Sequence, residues 1–287
     1  MAVRALFSYW LLPAFSALVW LAMLLTMLLY WIIATHRTRY PSMASGASIA
    51  YISDIGASSL KPLFIAGSCI TVVALDLAFL AERWLRHRGR LVPNRSCGEE
   101  TLVCLSIVFA FAGAAGLILL SVFDVVHHQR MHDGFLLLFI GGYMLSAVFT
   151  CWEYQRLGIK NRDHRILRSS FWIKLSFILI ELFLAIVFVS TSFTHNRNVA
   201  AVFEWIVAFI FTLYVLSFII DLRPAVYTRH PSARFEKPHD GARDVEMALP
   251  AEVETEAVDE DGVKMHAAHA ANAAPPRAAV DARAGHF

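Results

Sequence analysis

Six long apolar runs alternate with short polar segments along this chain. They cover roughly residues 9–33, 62–83, 102–124, 134–153, 171–193 and 199–221. A helix needs about 20 mostly apolar residues, at ~1.5 Å each, to cross the hydrocarbon of a bilayer. All six runs reach that length. Charges, prolines and glycines cluster between them. Gly113 and Gly116 in the third run, with Gly141 and Gly142 in the fourth, are expected to allow close helix approach. The pattern predicts an all-α membrane protein, a six-transmembrane-helix bundle over residues 1–223. The first run is longer than a signal-peptide core of about 7–15 residues, so it reads as the first span. From residue 224 the pattern stops. "EVETEAVDEDG" is acidic, and "HAAHAANAAPPRAAV" is alanine-rich with a proline pair. Residues 224–287 have too few aromatic and branched side chains to bury a core and are predicted to form a disordered tail.

Composition agrees. The 287 residues are 57% hydrophobic and only 17% charged, below the usual quarter, and mean hydropathy is +0.55. Cys69, Cys97, Cys104 and Cys151 form no C-x-x-C pair, so neither a zinc site nor a disulfide frame is predicted. They read as small apolar residues, with acylation of Cys97, Cys104 or Cys151 as the alternative. Phosphate loops, G-x-S-x-G and H-E-x-x-H are absent from the sequence. No catalytic residue, metal site or cofactor is therefore assigned.

Charge placement sets the expected orientation. Arg83, Arg86, Arg88, Arg90 and Arg95 lie between spans two and three, and Arg156, Lys160, Arg162, Arg165 and Arg168 between spans four and five. Arg223, Arg229, Arg234 and Lys237 follow span six. The opposite connections hold only Arg37, Arg39, Lys61, Arg130 and Arg197. Both termini are thus expected in the cytoplasm. The basic loops, with Arg86, Arg88, Arg90, Arg162, Arg165 and Arg168, should attract anionic lipid at ~1 kcal/mol per residue near the surface. They read as juxtamembrane clusters, not nucleic-acid patches.

Four ionisable residues fall inside or at the ends of spans, where each costs ~2.5–3.5 kcal/mol on insertion scales. Glu181 lies near the midplane of span five. Asp76 and Lys174 fall at similar depth and are expected to pair, although Lys174 could also snorkel to the inner surface. Glu153 closes span four. The outer connections are rich in polar groups as well: Asp54 and Lys61; Asp124, His127, His128, His132 and Asp133; and His195, Glu204 and Trp205. Three readings of this outer set stay open. It could cap and close loops, recognise a lipid headgroup or carbohydrate, or bind a metal that activates water. For the last, His128 and His132 would have to share a helical face, whereas Gly134 suggests a short turn there.

Three stretches resemble a known family. "YISDIGASSLKPLF" resembles the signature that follows the first span in the DRAM/FRAG/SFK family. "FDVVHHQRMHDGFLLLFIGGYM" is similar to its junction of spans three and four, and "AAVFEWIVAF" to the Glu-Trp opening of its last span. The likeness runs over about residues 5–225, and "EYQRLGIKNRDHRILRSSFWIKL" looks most like the fungal branch. The signature positions that carry over are Asp54, Gly56, Pro62, His132, Glu204 and Trp205. The resemblance implies six membrane helices without an established catalytic centre. It also implies association with phosphoinositide kinase assembly and phospholipid asymmetry, with autophagy, or with GPI-anchor remodelling, according to branch.

The expected function is a non-enzymatic organiser of membrane lipids. Its partners would be membrane lipids, including anionic phosphoinositides, and a lipid-kinase complex at the plasma membrane, with vacuole or Golgi also open. The alternatives are a lipid or GPI-anchor remodelling enzyme using Asp124, His127, His128 and His132, and a transporter gated by Glu181. The segment after Tyr51 is expected to fold back on the outer rim. Asp54 would accept hydrogen bonds from loop amides, Lys61 or His132. Gly56 would supply a tight turn, and Pro62 would open span two at its first helical position.

Overall fold

The computed structural model describes residues 9–88, 91, 97–160, 165–194 and 196–223. The acidic tail, Arg90, Arg162 and His195 lie outside the described residues. Helix α1 runs over Leu11–Leu29 and continues through one π turn, Tyr30–Ala34. A short helix α2, Ile52–Gly56, precedes α3, Lys61–His87. Then come α4, Cys97–Val122; α5, Gln129–Lys160; α6, Arg165–Phe193; and α7, Arg197–Leu222. Six of these helices are long and apolar enough to cross a membrane. Large apolar side chains such as Leu18, Ile33, Val73, Leu137 and Phe183 stand exposed around the outside. Patches of that size are rare on soluble monomers. The chain is a multi-pass integral membrane protein.

The spanning helices form a closed ring. Each packs against its neighbours in sequence, and α1 returns to pack against α7. Hydrogen bonds pin that closure. Ser16 Oγ donates to the Thr71 carbonyl on α3 at 2.8 Å, and Trp20 Nε1 donates to the Ala208 carbonyl on α7 at 2.9 Å. Inside lies an aromatic core in which Phe211 meets Trp20, Phe139 and Tyr143 at ring distances of 5.6–5.9 Å.

The tightest approach joins α4 to α5. A Cβ on Gly142 would stand 2.5 Å from the Gly113 amide nitrogen, and one on Gly116 would stand 2.5 Å from the Phe139 nitrogen. Backbone cannot yield as a side chain does, so these positions need glycine, as the small-residue logic of membrane helices expects. Gly141, predicted to share this role, has nothing within 4 Å of an added Cβ.

The helices exceed several predicted spans. α5 begins at Gln129, before the expected start near 134, and passes through Gly134 without a break. The turn between α4 and α5 lies earlier, near residues 123–128. Charged residues at helix ends look like loop residues in a hydropathy reading, yet the backbone prefers to continue its hydrogen-bonded ladder past the hydrocarbon boundary.

At the end that carries the Arg-rich connections, a buried charge cluster joins four helices. Glu82 Oε1 accepts from Arg86 Nη2 at 2.8 Å and from the Tyr154 hydroxyl at 2.6 Å. Arg83 Nη1 donates to Glu153 Oε1 at 2.5 Å. Lys174 and Ser170 of α6 both donate to Asp221 of α7. The Lys174 ammonium also lies 4.1 Å from the Phe218 ring centre and 5.1 Å from that of Tyr154. Glu82, Glu153 and Asp221 thus meet Arg83, Arg86 and Lys174, so the formal charges of these six cancel.

Two expectations are corrected by this cluster. Lys174 pairs with Asp221 rather than Asp76 and does not snorkel, since it is only 1% exposed. Asp76 Oδ1 is left without a hydrogen-bond partner. Arg86 is not a loop arginine: it is 5% exposed, inside α3. The reason is geometric. Residues 79, 82 and 86 lie on the face of α3 that points into the ring, and only the neighbouring helices reveal that face.

Breaking one partner of a buried pair costs about 3–5 kcal/mol, whereas replacing both with apolar groups is often near neutral. Lys174→Met alone should therefore lower the thermal unfolding midpoint in detergent well below that of Lys174→Met combined with Asp221→Leu. Gly142→Leu should destabilise more than Gly141→Leu in the same assay.

Candidate functional site: the histidine-bearing rim

The opposite end of the ring is closed by the connection from α1 to α3. It leaves α1 through the π turn and two residues in the left-handed region, His36 (φ 50°) and Arg37 (φ 60°). It then lies back on the start of α7. Asn198 Oδ1 accepts from the Ser48 and Ile49 amides at 2.7 and 3.1 Å. Trp205 Nε1 donates to the Ala50 carbonyl at 3.0 Å. Glu204 Oε2 accepts from the Ile52 amide at 2.8 Å. Asn198 and Trp205 are seven residues apart, two turns along one face of α7, and Glu204 lies beside them. One helix end thereby presents an acceptor, an acceptor and a donor to a segment with unpaired backbone groups.

Asp54 completes the fold-back from within. At the third position of α2 its Oδ2 accepts from the Tyr51 amide at 3.0 Å, satisfying one of the orphan donors at a helix start. Of its anticipated partners, only the loop amide is realised. Lys61 turns instead to Asp124, with Nζ 2.5 Å from Oδ2. Gly56 is not a turn residue with a special φ. It ends α2, and its lack of a side chain makes room for the Phe64 ring, which a Cβ would meet at 2.6 Å. Pro62 stands second in α3, after Lys61, where its missing amide donor costs nothing.

The junction of α4 and α5 adds a second knot. Asp124 Oδ1 accepts from the His127 amide at 2.8 Å and lies 2.8 Å from that residue's Nδ1. Burial pushes the Asp124 carboxyl up, but the bonds from Lys61 and His127 outweigh it and hold the carboxyl well below the usual range. Burial likewise raises the Tyr51 phenol, against the pull of the nearby Arg197 guanidinium. His132 is buried, and its Nδ1 donates to the Phe123 carbonyl at 3.0 Å. His128 is exposed, edge-on to the Phe123 ring.

The predicted outer residues therefore gather at one end but do not converge on one point. Asp54, Glu204 and Trp205 hold the fold-back segment, while Asp124 and His132 hold the α4–α5 turn. Among the described residues no three His, Cys, Asp or Glu side chains come together as metal ligands would. The arrangement is that of a structural clasp. Sequence reading missed Asn198, whose signal was its heptad spacing from Trp205 at the start of the last span.

Between the rim and the middle of the bundle lies a largely apolar cavity. Ser53, His132 and Glu204 stand at its rim side, and Glu181 stands deeper.

Trp205→Phe should leave the Ala50 carbonyl without its donor, at a cost of about 1–3 kcal/mol. Hydrogen exchange should then quicken over residues 48–56 and not over α4. The depressed Asp124 carboxyl contributes stability that is complete above the unfolded aspartate value of ~3.9 and is lost as pH falls towards the folded one. Asp124→Asn should lower the unfolding midpoint at pH 7. It should also flatten the further loss that the wild-type chain shows below about pH 4.

Comparison with known proteins follows the same outline. Residues 8–225 match the family described as the Frag1/DRAM/Sfk1/Cwh43P N-terminal domain. Protein sfk1 of Schizosaccharomyces pombe is 31% identical over 222 residues, which is 77% of this chain and 66% of that protein. Protein SFK1 of Saccharomyces cerevisiae is 27% identical over 173 residues, 51% of this chain and 49% of that protein. The chain thus spans about half to two thirds of the length of these relatives. No solved structure matches it significantly. The matched region takes in the whole helical ring, its rim clasp and its buried charge cluster, and the chain is a member of the Frag1/DRAM/Sfk1 family.

Proposed function

We propose that the protein is a non-enzymatic organiser of membrane lipids. Its basic end faces the cytoplasm, gathers anionic lipids such as phosphoinositides and supports a lipid-kinase complex at the plasma membrane. The observation that carries this reading is a set of tryptophan–arginine pairs at that end. The Arg88 guanidinium lies 4.5 Å from the Trp84 ring centre, and that of Arg156 lies 5.4 Å from the Trp152 ring centre. Both tryptophans are about half exposed, at 51% and 48%. Arg168 and Trp172 repeat the i, i+4 spacing on α6, and both are exposed.

Tryptophan prefers the membrane–water interface. A guanidinium stacked on it is held at the level of lipid phosphates, whose oxygens its planar fork matches. Two helices of the ring thus present arginines stacked on tryptophan, and a third presents an exposed arginine four residues from one. The excess of Lys and Arg in the connections at this end supports the cytoplasmic assignment. Arg86 plays no part, since it is committed to Glu82. The side chains of Arg90, Arg162 and Arg165 lie outside the description. The bonded state of Asp124 and His132 at the other end favours a supporting role for the rim over a catalytic one.

The combined variant Arg88→Gln, Arg156→Gln, Arg168→Gln should lose phosphoinositide enrichment in native mass spectrometry from mixed-lipid nanodiscs. Three contacts at ~1 kcal/mol each imply a loss on the order of 100-fold. In cells the same variant should displace a phosphoinositide reporter from the membrane while the protein itself stays in place. Unchanged enrichment in the nanodisc measurement would remove the basis of the reading.

A further inference from the structure

The cavity behind the rim has a chemistry that neither the clasp nor the basic end explains. Its volume is about 100 Å³, and it is open on one side. Eight of its lining side chains are aromatic, among them Trp20, Phe139, Tyr143, Phe177, Phe211 and Tyr214. Two carboxyl groups, Glu181 and Glu204, also line it, and no lysine or arginine does. The two acids differ. Glu204 holds the Ile52 amide. Glu181 Oε1 is buried with no hydrogen-bond partner. It lies twelve residues from the end of α6, ~18 Å along the helix and hence near mid-bilayer.

An ionisable group at that depth is costly and commonly marks a ligand or ion site. The nearest cation on the same helix, Lys174, is held by Asp221. The walls also indicate a way in. Trp20, Leu117 and Leu120, on α1 and α4, are buried, whereas Ile140 and Met144 of α5 and Phe177, Glu181 and Ala185 of α6 are only half-buried. α6 is the least buried of the six spans, with 17% of its apolar window inside the structure. The cavity therefore opens sideways between α5 and α6, towards the acyl chains rather than towards water.

A box of aromatic faces with an unpaired carboxyl and no lysine or arginine is complementary to one class of ligand. Ring faces attract ammonium groups, quaternary ones included, and the carboxyl supplies the counter-charge. We propose that this cavity binds a free lipophilic ammonium or other organic cation, which enters from the bilayer between α5 and α6 and is held by Glu181 and the surrounding aromatic rings. A phosphate-bearing lipid suits the site poorly, because no lysine or arginine lines the cavity to neutralise its anionic head. This inference stands apart from the proposed role of the basic end, which lies across the membrane and uses other residues.

The test is isothermal titration of the full chain in nanodiscs of neutral phospholipid, with empty nanodiscs subtracted. The probes are tetraphenylphosphonium, its anionic counterpart tetraphenylborate, and hexadecyltrimethylammonium beside uncharged hexadecanol. Both cations should bind at one site per chain, at least tenfold more tightly than the anion and the alcohol. Glu181→Gln should weaken the cations at least tenfold and leave the alcohol unchanged. Ala185→Trp, which fills the cavity mouth, should abolish cation binding, while Phe183→Trp on the lipid-facing side should not. Thermal unfolding midpoints establish that each variant is folded, and if Glu181→Gln does not fold, the Ala185→Trp and Phe183→Trp pair decides. Equal binding of cation and anion, or cation binding indifferent to Ala185→Trp, would overturn the proposal. So would displacement of the cations when phosphatidylethanolamine replaces part of the neutral lipid, because the occupant would then be a headgroup.

Discussion

The register of α7 governs the rest of this molecule, and charge fixes it. Near one end Asp221 accepts from Lys174 and Ser170. Near the other, Asn198, Glu204 and Trp205 grip the segment that returns from α1. About 35 Å of helix separates Asn198 from Asp221. Sliding α7 by one residue would rotate it by ~100°, pulling Asp221 away from a buried ammonium and exposing orphan amides at the rim. Hydrocarbon offers neither group a substitute partner. The helix has one acceptable position, and the ring closes around it when Trp20 reaches the Ala208 carbonyl.

The two ends use polar groups differently. At the basic end the six buried charges cancel among themselves, and the arginines Arg88 and Arg156, stacked on half-exposed tryptophans, face the interface. At the rim the acids accept backbone amides or one lysine, so their hydrogen-bonding capacity goes into holding loop segments. Between the ends, Ser68 Oγ, Thr71 Oγ1, Asp76 Oδ1, Tyr143 OH and Glu181 Oε1 are buried without a hydrogen-bond partner among the described residues. Buried polar groups are nearly always hydrogen-bonded, so such exceptions mark where a ligand or water belongs. Of these, Tyr143 and Glu181 line the aromatic cavity.

The rim also shows why grouping residues at one end of a membrane protein is weaker information than it looks. Asp124, His127, His128 and His132 are close in sequence and resemble the start of a metal site. The turn near residues 123–128 sends Asp124 towards Lys61 and His132 back towards Phe123, and leaves His128 outside. A helix that starts at Gln129 rather than near residue 134 produces this divergence, because His132 is then a buried helical position rather than part of a loop.

The six spans, their order and the end at which each connection falls were all legible in the sequence, because crossing hydrocarbon demands apolar length and that demand is local. The close contact at Gly113, Gly116 and Gly142 was legible for a similar reason: only small residues let helix backbones touch. The partner of each polar side chain was not. Asp221 and Glu82 carry no local signal that singles them out in the sequence, and Asn198 only its spacing from Trp205. Asp76 seemed the natural mate for Lys174. Which helix faces which is set by how six cylinders close into a ring, and that is decided by contacts between residues far apart in the chain. Local pattern therefore determined what crosses the membrane, and tertiary packing alone decided which charges neutralise one another and which carboxyl faces the aromatic cavity.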